Sequence, residues 1–219
     1  TIDGVDTDLT GASYLVAHYT SATFVAGQAL GSKVPTGPGS AMNLLVAKID
    51  ASYAPVYAYA YGDPGGTQIS GGGIVADGTG RVAVGGTFGG GVDFGMGLTG
   101  ASANDGIVFV IDEAQGKTVW QQVIGDTGSD RVIAVAFDAW RHLLVTGQYQ
   151  KAPQIGATTL PSASSIGVFI AKFGLTYVPE WATGFPNLAD AGDVAVVDLG
   201  IAPSGSSLVI SMRPGERYL

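Results

Sequence analysis

Apolar residues along this chain come in short runs, each cut off by Asp, Gly or Pro. No run holds a 3.6-residue period long enough for a helix, so the pattern predicts β-strands throughout. The clearest run is LLVAKID at residues 44–50. It returns as IVFVID at 107–112 and as VFIAKFG at 168–174. Asp50 and Asp112 are 62 positions apart, and Asp112 and Gly174 are again 62 apart. A constant offset marks an array of similar units.

Four segments recur in fixed order around that ruler. The first is an apolar run closed by an Asp-rich turn: GIVADGTG at 73–80, VIAVAFD at 132–138 and a similar stretch at 195–205, with a more polar version, DGVDTDLTG, at 3–11. The second is a strand-like run at 14–19 (YLVAHY), 82–88, 143–149 and 208–212. The residues between first and second accept positive φ or bond their own backbone, which predicts a hairpin. A repeating loop follows, TFVAG at 23–27, VDFG at 92–95 and PQIG at 153–156, and then LLVAKID or its copies. The fourth segment is PVYAYAYG at 55–62, TVWQQVIG at 118–125 and PEWATGF at 179–185. Tyr57, Trp120 and Trp181 share one register there and are expected to plug contacts between sheets.

The expected fold is all-β: a β-propeller-like array of four-stranded antiparallel blades within one repeat domain, 1–219. The units are 1–62, 63–125 and 126–186, with a partial fourth at 187–219, or about three and a half blades. A sheet apolar on both faces cannot stand alone and must stack. The fourth unit carries only its first two segments, so the run at 208–212 is expected to be an open edge. The chain therefore reads as part of a larger propeller, or as an array covered by another protein chain.

Composition narrows the partners. Gly supplies 35 of 219 residues, a load hostile to helices. A net charge of −8 with scattered Lys and Arg disfavours nucleic acid and anionic membranes. No apolar run reaches the roughly 20 residues that span a bilayer, so no membrane insertion is expected. There is no Cys, hence no disulfide and no thiolate chemistry.

The stretches VAKID (46–50), VDFG (92–95), VFIAKFG (168–174), the Trp-bearing strands and the turn GDTGSDR (125–131) resemble SBBP-type and related Gly/Asp-rich bacterial β-propeller repeats, common in large myxobacterial secreted proteins. The resemblance spans essentially the whole chain. It implies a propeller fold and an extracytoplasmic or cell-surface location, and it supplies no catalytic motif. The first unit departs most, with its polar opening strand and its longer loop at 28–43.

Few residues are candidates for chemistry. Asp6, Asp8 and Thr10, ahead of Gly11, space hard oxygens like the start of a calcium loop. No Glu stands at the twelfth place, which is Ala17, and Asp8, Thr10 and Gly11 align with the hairpin turn at Asp77, Thr79 and Gly80. Calcium is thus the one cofactor the sequence offers, against a plain turn. Asp126, Asp130 and Arg131 could rim a ligand site or bond within their own turn. His18 and His142 fall in different places of different units, and a zinc site would want at least three protein ligands. Tyr57, Tyr59 and Tyr61 alternate on one strand, either as a sugar-stacking stripe or as packing between sheets.

The leading expectation is a non-catalytic propeller module for binding or for surface or extracellular assembly. A carbohydrate-binding, lectin-like propeller is the alternative, with a glycan as its partner. A propeller enzyme, a lyase or glycoside-active type, ranks below both, because Ile74, Val135 and Val196 occupy inner-strand positions where reactive groups would have to point.

Overall fold

The computed structural model describes residues 1–20, 24–25, 28–29, 42–62, 68–186, 194–201 and 208–214. Among them every regular element is a β-strand. The first sheet pairs β1 (Ile2–Thr7), β2 (Ser13–Tyr19), β5 (Asn43–Ile49) and β6 (Pro55–Tyr61) in that order, with a small hairpin of β3 (Phe24–Val25) and β4 (Gln28–Ala29) between β2 and β5 in the chain. The second holds β7 (Ile69–Ala76), β8 (Arg81–Asp93), β9 (Leu98–Asp112) and β10 (Lys117–Ile124). The third holds β11 (Arg131–Phe137), β12 (Leu143–Lys151), β15 (Ala163–Phe173) and β16 (Pro179–Phe185), interrupted by the hairpin β13 (Gln154–Ile155) and β14 (Thr158–Thr159). β17 (Val194–Ile201) and β18 (Leu208–Pro214) pair on their own, and β17 lies against β11. All pairings are antiparallel.

The hairpin turns show why Asp ends so many runs. At Asp8, Asp50, Asp77, Asp93 and Asp138 the carboxylate Oδ1 accepts the backbone N–H two residues on, at 2.7–2.9 Å, and the one four residues on. The residue three positions on has positive φ at four related turns: Gly11, Tyr53, Gly80 and Arg141. Gly174 starts the same turn without a carboxylate, and Tyr177 takes the positive φ there. This is a type I turn with a following αL residue, the usual three-residue hairpin loop. The 62-residue ruler from Asp50 to Asp112 to Gly174 measures the first residue of a hairpin turn, although the turn at Asp112 is one residue longer, with its positive φ at Gly116.

First strands of successive sheets meet backbone to backbone. A Cβ on Gly72 would stand 2.4 Å from the Val132 carbonyl oxygen, and one on Gly4 would stand 2.9 Å from that of Gly72. Only glycine tolerates such an approach. β1 also satisfies the edge of β7 with side chains: Asp3 Oδ2 accepts Gly71 N–H at 3.0 Å and Asp6 Oδ2 accepts Ala76 N–H at 2.8 Å. Each first strand carries a register shift, in β1, β7, β11 and β17 alike. Bulges of this kind raise local twist and suit a strand at a sheet edge.

Away from that edge the gaps are filled by side chains. Between the first two sheets, Phe94 packs against Tyr61, Phe88 and Phe109 with ring centroids 6.0, 5.2 and 5.3 Å away. It is fully buried, which contributes about 2–3 kcal/mol. The sequence placed VDFG in a loop. Here β8 and β9 instead continue past a bulge at Gly89–Gly91 to form a long hairpin whose tip folds back, so that Thr118 Oγ1 donates to Phe94 O. Ile155, in the third sheet's hairpin, is likewise fully buried among Val108, Ile124, Tyr149 and Phe169.

The aromatics of the fourth strands divide. Trp120 reaches the third sheet, edge-on to Phe173 and stacked on Tyr177, each 5.1 Å away. Tyr57, Tyr59 and Tyr61 face the second sheet: Tyr57 stacks on Tyr59 at 4.9 Å and Tyr61 meets Phe109 at 5.1 Å. That stripe packs against the second sheet, with Tyr61 buried and Tyr57 and Tyr59 half-buried. Trp181, expected as a plug, is 41% exposed.

Candidate functional site

The sheets have two ends. At one, the turn end, lie the hairpins starting at Asp8, Asp50, Asp77, Asp112, Asp138 and Gly174. At the other, the loop end, first strands begin and second strands finish. A cavity of about 440 Å³ opens at the loop end, lined by Asp3 of β1, Ser70–Gly72 of β7, Thr87 of β8, Arg131–Ile133 of β11 and Gln148 of β12. All three complete sheets contribute.

Its polar groups are held by their neighbours. Asp3, the residue at the β1 register shift, takes His18 Nδ1 at 2.7 Å as well as the Gly71 N–H. Thr87 Oγ1 lies 3.1 Å from Asp105 O and 3.0 Å from Asp130 O, so this hydroxyl ties β8 to the loop before β11. Arg131 forms no ion pair among the described residues. The backbone of Gly71 and Gly72 adds peptide groups without side chains. Such a cavity offers donors, acceptors and one cation to a polar ligand.

Behind this cavity three carboxylates gather. Asp130 is buried; its Oδ1 accepts Gln150 N–H at 3.0 Å and its Oδ2 accepts Asp126 N–H at 3.3 Å. Burial pushes Asp130 up to about 6, and the negative charges of Asp126 and Asp105 push the same way. Burial also raises Asp105, whose Oδ1 has no hydrogen-bond partner. Asp126 bonds Gly128 N–H at 2.6 Å and Ala152 N–H at 3.0 Å. Of the suggested rim of Asp126, Asp130 and Arg131, only Arg131 lines the cavity, and the two carboxylates fasten the loop.

Of Asp6, Asp8 and Thr10, the structure brings Thr10 to Asp8, while Asp6 is engaged elsewhere. Asp6 turns to β7 through Ala76. Asp8 caps its own hairpin, where Thr10 Oγ1 donates to Oδ1 and Tyr14 OH donates to Oδ2 at 2.9 Å. The Thr10 hydroxyl foremost, with Tyr14 and two backbone N–H groups, holds Asp8 down at about 2. No group of three His, Cys, Asp or Glu suited to a metal occurs among the described residues. His18 and His142 stay apart: His142 Nδ1 pairs with Asp138 at 3.0 Å, at the turn end.

The turn end has a smaller cavity, about 370 Å³, lined by Asp77, Thr79, Arg81, Arg141, Leu175 and Tyr177. Arg81 pairs with Asp112 across the second sheet, and Arg141 Nη1 donates to Thr79 Oγ1 at 3.3 Å. Sequence reasoning singled out neither arginine, nor Ser70, Thr87 or Gln148. Only Arg131 carried a signal.

No family model matches this chain, and no curated protein matches it.

Proposed function

We propose that this chain is a non-catalytic β-propeller-type module that binds a polar group of a partner at its loop end. The observation that carries the reading is the cavity of about 440 Å³ to which the first strands of three successive sheets contribute. Series contact of β1, β7, β11 and β17 is what sheets arranged round one axis would give. In that arrangement the loop-end cavity lies at the axis, where loops from several sheets converge on a ligand. The partner is a protein or a neighbouring part of a larger propeller, in a surface or extracytoplasmic assembly.

A lectin-like role is the second reading, favoured by the polar lining of the same cavity. A glycan array probed with the wild-type chain and with Arg131→Ala separates the two. Glycan binding that Arg131→Ala abolishes makes the module a lectin. No glycan retained, with a protein captured through the loop end, supports the leading reading. An experimental structure with the sheets in an open, axis-free stack would overturn the propeller itself.

A further inference from the structure

The positions that line the turn-end cavity are filled differently between the first and second sheets. There the equivalent positions carry Ala12, Gly80 and Glu113, and Glu113 is satisfied by Lys48 Nζ at 2.8 Å. Between the second and third sheets those places are held by Arg81, Arg141 and Leu175. Two guanidinium groups thus share one cavity in a chain of net charge −8 with ten Lys and Arg in all.

Each guanidinium is held from one side and open on another. Asp112 fixes Arg81, and Gln115 Nε2 donates to the same carboxylate oxygen at 2.7 Å. Thr79 holds Arg141. A guanidinium has five N–H donors, and each of these two uses only one on protein acceptors among the described residues. Asp77, the acid on the wall, is already occupied: it accepts Thr79 N–H at 2.7 Å, Arg81 N–H at 3.0 Å and Thr79 Oγ1 at 2.7 Å. The Tyr177 ring forms another wall, stacked on Trp120 behind it. Leu175, 58% exposed, adds an apolar surface. Arg141 also sits at φ 65°, where the related turns at Asp8 and Asp77 use glycine.

We propose that this cavity binds an oxyanion, the carboxylate or sulfate group of a small or sugar-sized ligand, between Arg81 and Arg141. Paired N–H donors match planar carboxylate and tetrahedral sulfate alike. The ligand body lies against Leu175 and Tyr177. This site is separate from the loop-end cavity, and either can fail without the other.

Amide NMR titration of the intact chain tests it, with glucuronate and sodium sulfate as probes and sodium chloride at matched ionic strength as control. Saturable shifts confined to residues 77–81, 138–142 and 174–178 are expected from at least one probe and from chloride not at all. Response to glucuronate alone identifies a carboxylate site, and response to sulfate alone a sulfate site. Arg141→Gly suits the turn and removes the guanidinium, so its melting temperature should hold or rise while affinity falls tenfold or more. Arg81→Gln should weaken binding similarly. Shifts that match chloride's, or Arg141→Gly binding like wild type, would overturn the proposal.

Discussion

The two ends of the sheets use aspartate in opposite ways. At the turn end four carboxylates serve their own hairpins, while Asp112 and Glu113 pair with Arg81 and Lys48. Asp8, Asp50, Asp77 and Asp138 accept N–H groups from residues two and four positions on, and Asp8, Asp50 and Asp138 titrate low. At the loop end the carboxylates reach across the fold: Asp3 to β7, Asp130 to β12, Asp126 to the start of the next hairpin. Asp130 and its neighbour Asp105 are buried and titrate high. Turn-end order is therefore local and repeats with the sequence. Loop-end order is made only once the sheets stack.

The sharpest way to break this contrast is where the first strands of successive sheets meet. Gly72→Ala puts a Cβ 2.4 Å from Val132 O, and neither backbone has room to yield. A loss of about 3 kcal/mol or more, or failure to fold, is expected by urea denaturation. Gly78→Ala, at a turn with nothing within 4 Å of the new Cβ, should lose only about 1 kcal/mol through its φ of 73°. Equal losses would mean that sheet contact is not what Gly72 serves.

A second comparison sets Asp6 against Asp50. Asp6→Ala strands the Ala76 N–H between two sheets and should cost roughly 1–2 kcal/mol. Asp50→Ala exposes turn N–H groups that water can reach, so under about 1 kcal/mol is expected. The reverse order, in paired denaturation curves, would refute the division into local and cross-sheet carboxylates.

The ends should also respond oppositely to pH. Asp130 titrates at about 6 in the fold, above its unfolded value near 3.9, so the folded chain binds the extra proton between them. That contribution is complete below about pH 4 and is lost as pH rises to about 6, on the order of 2 kcal/mol. Asp8 titrates at about 2, so its contribution is present above about pH 4 and is lost as pH falls toward 2. Stability measured against pH should lose the first slope in Asp130→Asn and flatten at the acid end in Asp8→Asn. An unchanged slope between pH 4 and 6 in Asp130→Asn would remove Asp130 as its source.

The smallest effect concerns turn strain. Tyr53 is 86% exposed at φ 66°, so Tyr53→Gly should gain about 0.5–1 kcal/mol. Tyr177, at φ 60°, stacks on Trp120, and Tyr177→Gly should lose stability instead. A matching gain in both would show that the stacking contributes nothing.

The strand order was legible because each unit writes it locally. LLVAKID became β5, IVFVID the end of β9 and VFIAKFG the end of β15, each closed by the residue that starts a hairpin. All-β composition and four-stranded antiparallel sheets followed from that. The long β8–β9 hairpin was not legible, since its Gly89–Gly91 bulge looks like any glycine turn. The calcium-like spacing of Asp6 and Asp8 likewise did not record which groups their carboxylates would meet. Residues two apart on a strand share a face, but here the Asp6 carboxylate bonds across to β7 and Asp8 lies past the end of β1, in its own turn. The cavities were hidden more deeply. Ser70, Thr87, Arg131 and Gln148 meet at one end, and Arg81, Arg141 and Tyr177 at the other, only because sheets stack, and no spacing in one unit records its neighbour. The strands 194–201 and 208–214 are described without their side chains, and the loop at 30–41 lies outside the described residues.

In the proposed propeller, glycine where the first strands meet and larger side chains farther from that contact would give each gap between sheets the form of a wedge. The thin side is set by bare backbone at Gly4, Gly72 and Gly73, which cannot become thinner. The thick side is set by Phe94 and Tyr61 in one gap and by Ile155 and Tyr149 in the next, which can change size. In the proposed ring, the opening angle of these wedges decides how many sheets complete a circle. Evolution could then alter that number by resizing a few outer side chains, leaving every turn and every inner glycine as it is.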